Sequence, residues 1–317
     1  MPETAILGDF QMTTLTTAMT ADAPVTPLEE YLFDLNGYLI LKNILTKSHI
    51  AEMNALLTHL THLEPPLGKG EWYGSVHTHS YGGAEGINFQ QIYEAGEPFE
   101  RLIDYPGWFA KIKHFVGGEG TFDCQHGPVF IDENFANLRG PGEAIGLHSG
   151  GHTGVKRNQF RYHNGHFQCG QVNILMALTD IGPGDGATMI IPASHKSNFA
   201  HPHFDRHTMR HDEVSSLDEL EGAVEVHLDA GDALLFVDAL SHGSAKRINP
   251  GERRIVVYRY GPSWGNFRHP YQASNALLER LTPRQRSIVC PQRPIKREPN
   301  RIPGTPSPGD SVDSRTA

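Results

Sequence analysis

From about residue 120 to 260 the chain is a succession of short runs rich in Val, Ile, Phe and Tyr, each closed by Gly, Pro, Asn or Asp. This punctuation constrains the fold more than any other feature, because such runs fit strands between tight turns. The runs are GTFDCQHGPVFIDEN, GQVNILMALTDI, GATMIIPAS, AVEVHLDAGDALLFVD and RRIVVYRYGP. GDALLFVDALSHG reads as a strand, a turn, and a residue delivered at a strand end. Upstream the period changes. Glu29 to Leu35 has helical spacing and is followed by the strand-like GYLILKN. From Thr46, with Ser48 as the expected cap, HIAEMNALLTHL again spaces its apolar residues helically, and PGWFAKIKHFVG does the same. Helices followed by many short strands predict a mainly β protein, with helices flanking a sandwich or barrel.

One domain is expected over residues 26–290, and 317 residues with 38% hydrophobic content can bury a substantial core. Residues 1–25, rich in Thr, Ala and Met, read as a flexible leader; residues 291–317, rich in Pro, Gly, Ser and charge, read as a disordered tail. A net charge of −9 argues against binding a nucleic-acid polymer. No run approaches the roughly 18 apolar residues of a membrane span. Cys124, Cys169 and Cys290 stand far apart without a CxxC pair. That spacing predicts a reduced, cytoplasmic protein with no closed structural zinc site.

Histidine is abundant, with 19 residues, and it clusters: His77 and His79; His148, His152, His163 and His166; His195 to His211. Three pieces recur in order: GLHSGG at 146–151, LTDIGPGDGATMIIPASHK at 178–196, and GDALLFVDALSHGSAKRINPGERRIVVYRY at 231–260. Together with EYLFDLNGYLILKNILT they resemble the phytanoyl-CoA dioxygenase-like branch of the non-haem Fe(II)/2-oxoglutarate oxygenases, over roughly residues 28–265. The resemblance implies a double-stranded β-helix core of the jelly-roll, cupin-like kind. It also implies consumption of 2-oxoglutarate and O2 with a small-molecule substrate. His148 and His242 are then the metal ligands, each beside small residues that leave coordination positions open; spacing alone would also allow Zn, Ni or Mn. Arg253, eleven residues after His242, and Ser244 would hold the distal carboxylate of 2-oxoglutarate, which suits a guanidinium fork. A surface ion pair with Glu252 or Asp238 is the alternative for Arg253. Arg254 is expected on the opposite face of the strand. His195 and Lys196 are read as scaffold.

The sequence departs from the family at one position. His148-Ser149-Gly150 carries Gly where most members have Asp or Glu. In resembled enzymes that halogenate, this replacement admits chloride to the iron, and the substrate radical collects chlorine instead of hydroxyl. Losing a fixed negative charge also makes the site more receptive to an anion. Halogenation is therefore the leading expectation, with chloride as a further cofactor. Hydroxylation is the alternative, with water, Glu143, Asp123, Asp132 or His152 filling the position. A non-catalytic cupin-like binding protein is the third reading. For the substrate, residues 151–168 interleave Lys156, Arg157, Arg161, His163 and His166 with Phe160, Tyr162 and Phe167, which suits a phosphate-bearing, nucleotide-like metabolite or simply a solvated loop. Trp72, His77 and Gln90, in WYGSVHTHSYGGAEGINFQQIY, are expected in a loop over the pocket.

Overall fold

A computed structural model describes residues 22–79, 86–117, 127–207, 220–263, 265 and 271–290. The expected tail, most of the leader, Asp123 and Cys124 lie outside them. Residues 22–25, placed in the leader by composition, are held: Asp22 pairs with Arg284 at 2.7 Å and Ala23 N–H donates to Pro106 O.

Helix α1 (Pro27–Asn36) starts at Thr26 with a reciprocal cap to Glu29 and stops at Gly37, whose φ of +83° suits glycine. Strand β1 (Tyr38–Leu41) follows, then α2 (Lys47–Thr61). The cap of α2 is Thr46, whose hydroxyl accepts from His49 N–H, while Ser48 only bonds Thr46 at 3.0 Å. Next come β2 (Trp72–Tyr73), β3 (Val76–His79), β4 (Ile87–Gln90), α3 (Glu97–Glu100) and α4 (Phe109–Val116). The expected loop at 72–93 thus contributes three strands; its Gly, His and Thr content carries no apolar alternation to announce them.

The remaining strands are β5 (Val129–Arg139), β6 (Ile145–His148), β7 (Tyr162–His163), β8 (His166–Phe167), β9 (Val172–Ala177), β10 (Thr188–Ile190), β11 (Val224–Val226), β12 (Ala233–Val237), β13 (His242–Ser244) and β14 (Arg253–Pro262). Helices α5 (Asn275–Arg280) and α6 (Pro283–Val289) close the described chain. An eight-stranded sheet in the order β1-β12-β9-β14-β5-β4-β3-β2 and a four-stranded sheet β11-β10-β13-β6 form the two walls of a jelly roll.

Strand β14 shows how the sheet divides its faces. Arg253, Ile255, Val257 and Arg259 line a cavity between the walls. Arg254 instead donates to Asn54 O and Thr58 Oγ1 of α2, and Tyr258 OH donates to Phe99 O of α3. This two-residue alternation lets one strand serve both the site and the helical coat. Tyr258 and Tyr260 are fully buried, their hydroxyls satisfied by carbonyls of α3 and of the turn that follows it, so their rings add core contact without orphaned polar atoms. No helix among the described residues is long and apolar enough to cross a membrane. Cys169 is a buried thiol outside any disulfide.

Candidate metal and co-substrate site

His148 ends β6 and His242 begins β13, and the antiparallel register sets them directly opposite. Their ring centroids are 4.0 Å apart. Each ring is steered by its own chain: His148 Nδ1 donates to Gly146 O at 3.3 Å, and His242 Nδ1 to Leu240 O at 2.6 Å. This tautomer puts the basic lone pair on Nε2 of both rings, as metal-binding histidines require. Burial and the adjacent His242 hold the His148 imidazole well below its usual pKa, so it is neutral and able to ligate at pH 7.

After His148 the chain turns through two left-handed residues, Ser149 at φ +65° and Gly150 at φ +118°. A Cβ on Gly150 would lie 2.5 Å from Cε1 and 2.6 Å from Nδ1 of His152, and 2.8 Å from Ser241 Oγ. Gly151 is equally tight, with its Cβ position 2.4 Å from His195 O. A side chain at residue 150 would need His152 and Ser241 to give way and would strain a backbone at φ +118°. Among the described residues no third histidine, cysteine or carboxylate completes a three-ligand group. Glu143 pairs with Lys246 at the surface, and Asp132 accepts from Gln171 Nε2 at 2.9 Å. The His152 ring stands beside Gly150 and packs edge-on against Phe204.

Arg253 and Ser244 meet in the same cavity. Arg253 Nη1 donates to Ser244 Oγ at 2.9 Å and to Gly186 O, and Nη2 to Asn137 Oδ1 at 2.8 Å. The alternative ion pair does not form: Glu252 pairs with Arg254, and Asp238 with Arg157 and Arg259. Burial, then Arg139 and Arg247, push the Arg253 guanidinium down to about 9. A cation destabilised in this way by its surroundings favours an anionic ligand. Arg139, which no motif marked, stands across the sheet from Arg253 and also donates to Ser244 Oγ at 2.9 Å. Charge at the end of a strand-like run was its only sequence signal.

The cavity holds about 310 Å³ and is lined by His148, His242, Ser244 and Arg253, with Asn88, Phe135 and Phe236 on its walls. Arg157 and Arg259 line it as well, both paired with the fully buried Asp238. The other expected substrate residues divide between the surface and the cavity side of the sheet. Arg161 and His163 are exposed on the β7–β8 hairpin, and Phe160 packs edge-on against His195, 4.5 Å between centroids. Trp72 is half exposed and stacks on His77 at 4.4 Å. The pairings Trp72 with His77, His77 with Gln90, and Gln90 with Phe135 put these residues on the cavity-facing side of the sheet. His195 and Lys196 act as scaffold: His195 bonds Asp34 O at 3.1 Å, and Lys196 bonds Asp34 Oδ2 at 2.7 Å.

Comparison with known proteins agrees with this geometry. The family model "Phytanoyl-CoA dioxygenase (PhyH)" matches residues 33–255. Dioxygenase cdmD of Talaromyces verruculosus is 33% identical over 90 residues, a match spanning 28% of this chain and 24% of that protein. Among solved structures, HygX from Streptomyces hygroscopicus with nickel and 2-oxoglutarate bound has a TM-score of 0.61 at 21% identity, covering 80% of this chain and 94% of that one. EctD from S. alaskensis with bound Fe has a TM-score of 0.53 at 20% identity, covering 78% and 80%. Two opposed imidazoles, a buried guanidinium in one jelly-roll cavity, and a family match over most of the core lead to one conclusion: the chain belongs to the phytanoyl-CoA dioxygenase family, within the Fe(II)/2-oxoglutarate-dependent oxygenases.

Proposed function

We propose that this protein is an Fe(II)/2-oxoglutarate-dependent halogenase that chlorinates an unactivated C–H bond of a small, phosphate-bearing, nucleotide-like metabolite. The observation that carries this reading is that His148 and His242 face each other while, among the described residues, no carboxylate completes a three-ligand group and Gly150 supplies none. The chain offers two imidazoles and withholds the carboxylate, so a small anion is the economical third ligand. Bound Fe(II) and 2-oxoglutarate, with O2, supply the oxidising power for removing a substrate hydrogen. His148 and His242 would hold the metal through Nε2. Arg253 and Ser244 would hold the distal carboxylate of 2-oxoglutarate, in the fork geometry a guanidinium favours. Asn88, Phe135 and Phe236 limit the space open to water and substrate. Arg157 and Arg259 present guanidinium donors on the cavity wall, their charge balanced by the buried carboxylates of Asp238 and Glu133.

Hydroxylation is the second reading, and one observation favours it. Gly150 and Gly151 both have packing reasons to be glycine, so the missing carboxylate does not by itself demand a halide. A non-catalytic cupin-like binder accords less well with the paired histidines and the buried arginine.

The deciding experiment is anaerobic titration with Fe(II) and 2-oxoglutarate, read by visible absorption with and without chloride. A charge-transfer band that shifts or tightens with chloride supports halogenation. A band indifferent to chloride supports hydroxylation, and no band at any concentration removes the oxygenase reading.

A further inference from the structure

Two arginines, not one, converge on the hydroxyl that would meet the co-substrate. Arg139 ends β5, Arg253 begins β14, and the antiparallel register pairs them directly, so both side chains leave the same face of the sheet. Arg139 is 1% exposed and Arg253 3%. Each gives Nη1 to Ser244 Oγ at 2.9 Å. Arg139 Nη2 donates to Glu143 O, and Ser244 itself donates to Gly186 O at 2.8 Å. The acceptors holding Arg253 are a carbonyl, a hydroxyl and an amide, all neutral. Gly186, at φ +69°, lets the turn approach closely, with its Cβ position 3.1 Å from Arg139 Nη1. Like charges brought together under burial are costly unless the site is meant for an anion; Arg139 does not itself line the cavity, so it would act on that anion through Ser244.

We propose that Arg139 is a second positioning residue for the co-substrate. It fixes Ser244, and through Ser244 the Arg253 fork, and it adds the second positive charge that makes the pocket select a dicarboxylate over a monocarboxylic 2-oxoacid. This rests on the assignment of 2-oxoglutarate to Arg253. A purely structural Arg139, pinning the turn at Glu143, would affect both kinds of oxoacid alike.

The test is calorimetric binding to the Ni(II)-loaded protein, with 2-oxoglutarate and with 2-oxovalerate, which lacks the distal carboxylate. R139M is expected to weaken 2-oxoglutarate about tenfold or more while leaving 2-oxovalerate unchanged. R139K should recover 2-oxoglutarate to within about threefold, since it restores the charge without the fork. S244A should weaken 2-oxoglutarate and be non-additive with R139M, as residues acting through one contact are. Equal weakening of both ligands by R139M, or no weakening of 2-oxoglutarate, overturns the proposal. If R139M does not fold, R139Q, which keeps N–H donors but removes the charge, is measured with both oxoacids and judged by the same criterion. Failure of the unsubstituted protein to bind 2-oxoglutarate would instead remove the co-substrate assignment on which the proposal stands.

Discussion

At the scale of single residues, Gly150 and His152 behave as a pair. The first has a backbone at φ +118° that an L side chain rarely adopts, and the second fills the space such a side chain would enter. Installing the family's usual carboxylate with G150D should therefore not rebuild a three-ligand site. It is expected to cost about 1–3 kcal/mol by overpacking, with backbone strain added. In the double variant G150D/H152A the crowding is relieved, and Co(II) affinity should exceed that of G150D. Urea unfolding and Co(II) absorption spectra check both statements. G150D alone binding Co(II) more tightly at undiminished stability would sink the steric account. The same pairing explains how far the sequence could be read here. His148-Ser149-Gly150 announced a missing ligand, but the motif could not say that a residue four positions after His148 would fold back over the gap.

At the scale of elements, β14 is where register becomes chemistry. Its odd-numbered residues Arg253 to Arg259 face the cavity, while Arg254 reaches out to α2. R253A is expected to raise the 2-oxoglutarate KM at least about thirtyfold, because it removes the buried partner of a charge. R254A should leave that KM within about twofold and lower stability by about 1 kcal/mol through the lost bonds to α2. Steady-state kinetics with thermal melts separate the two variants, and the reverse pattern would mean the strand is one residue out of register. RRIVVYRY does not alternate in polarity; Arg253 was singled out by its offset from His242 in the resembled family, and the opposite face of Arg254 followed from strand geometry alone. Strands β2 to β4 were not readable, because WY, VHTH and INFQ join the sheet by successive pairing, β2 to β3, β3 to β4 and β4 to β5, rather than by their own pattern.

At the scale of the whole molecule, His195 ties the insert after β10 to the N-terminal helix, accepting close contact from Gly37 and bonding Asp34 O. Burial lowers its pKa from 6.5 to about 4. A histidine whose folded pKa is depressed stays neutral while the unfolded chain takes up its proton, so stability falls as pH drops from 6.5 toward 4. Across that window the linkage amounts to about 3 kcal/mol. H195N is expected to be less stable at pH 7 but to show a shallower decline between pH 6.5 and 4. Urea midpoints measured across that range give the difference in slope, and parallel curves for the two proteins would refute the role.

The sequence by itself pointed to a mainly β chain with flanking helices, and its resemblance to the family added the jelly roll and singled out His148, His242, Ser244 and Arg253, which the structure brings into one cavity. Strand punctuation, small neighbours and fixed offsets are local quantities, and local quantities survive without a fold. Tertiary structure decided the rest. It put Arg157 rather than Arg161 on the cavity wall, because a loop's side-chain directions depend on what the loop packs against. It brought Arg139 beside Arg253, because strands 114 residues apart in sequence become neighbours only through pairing. It also closed the space beside Gly150, because what fills a gap is settled by packing and not by the residue that leaves it.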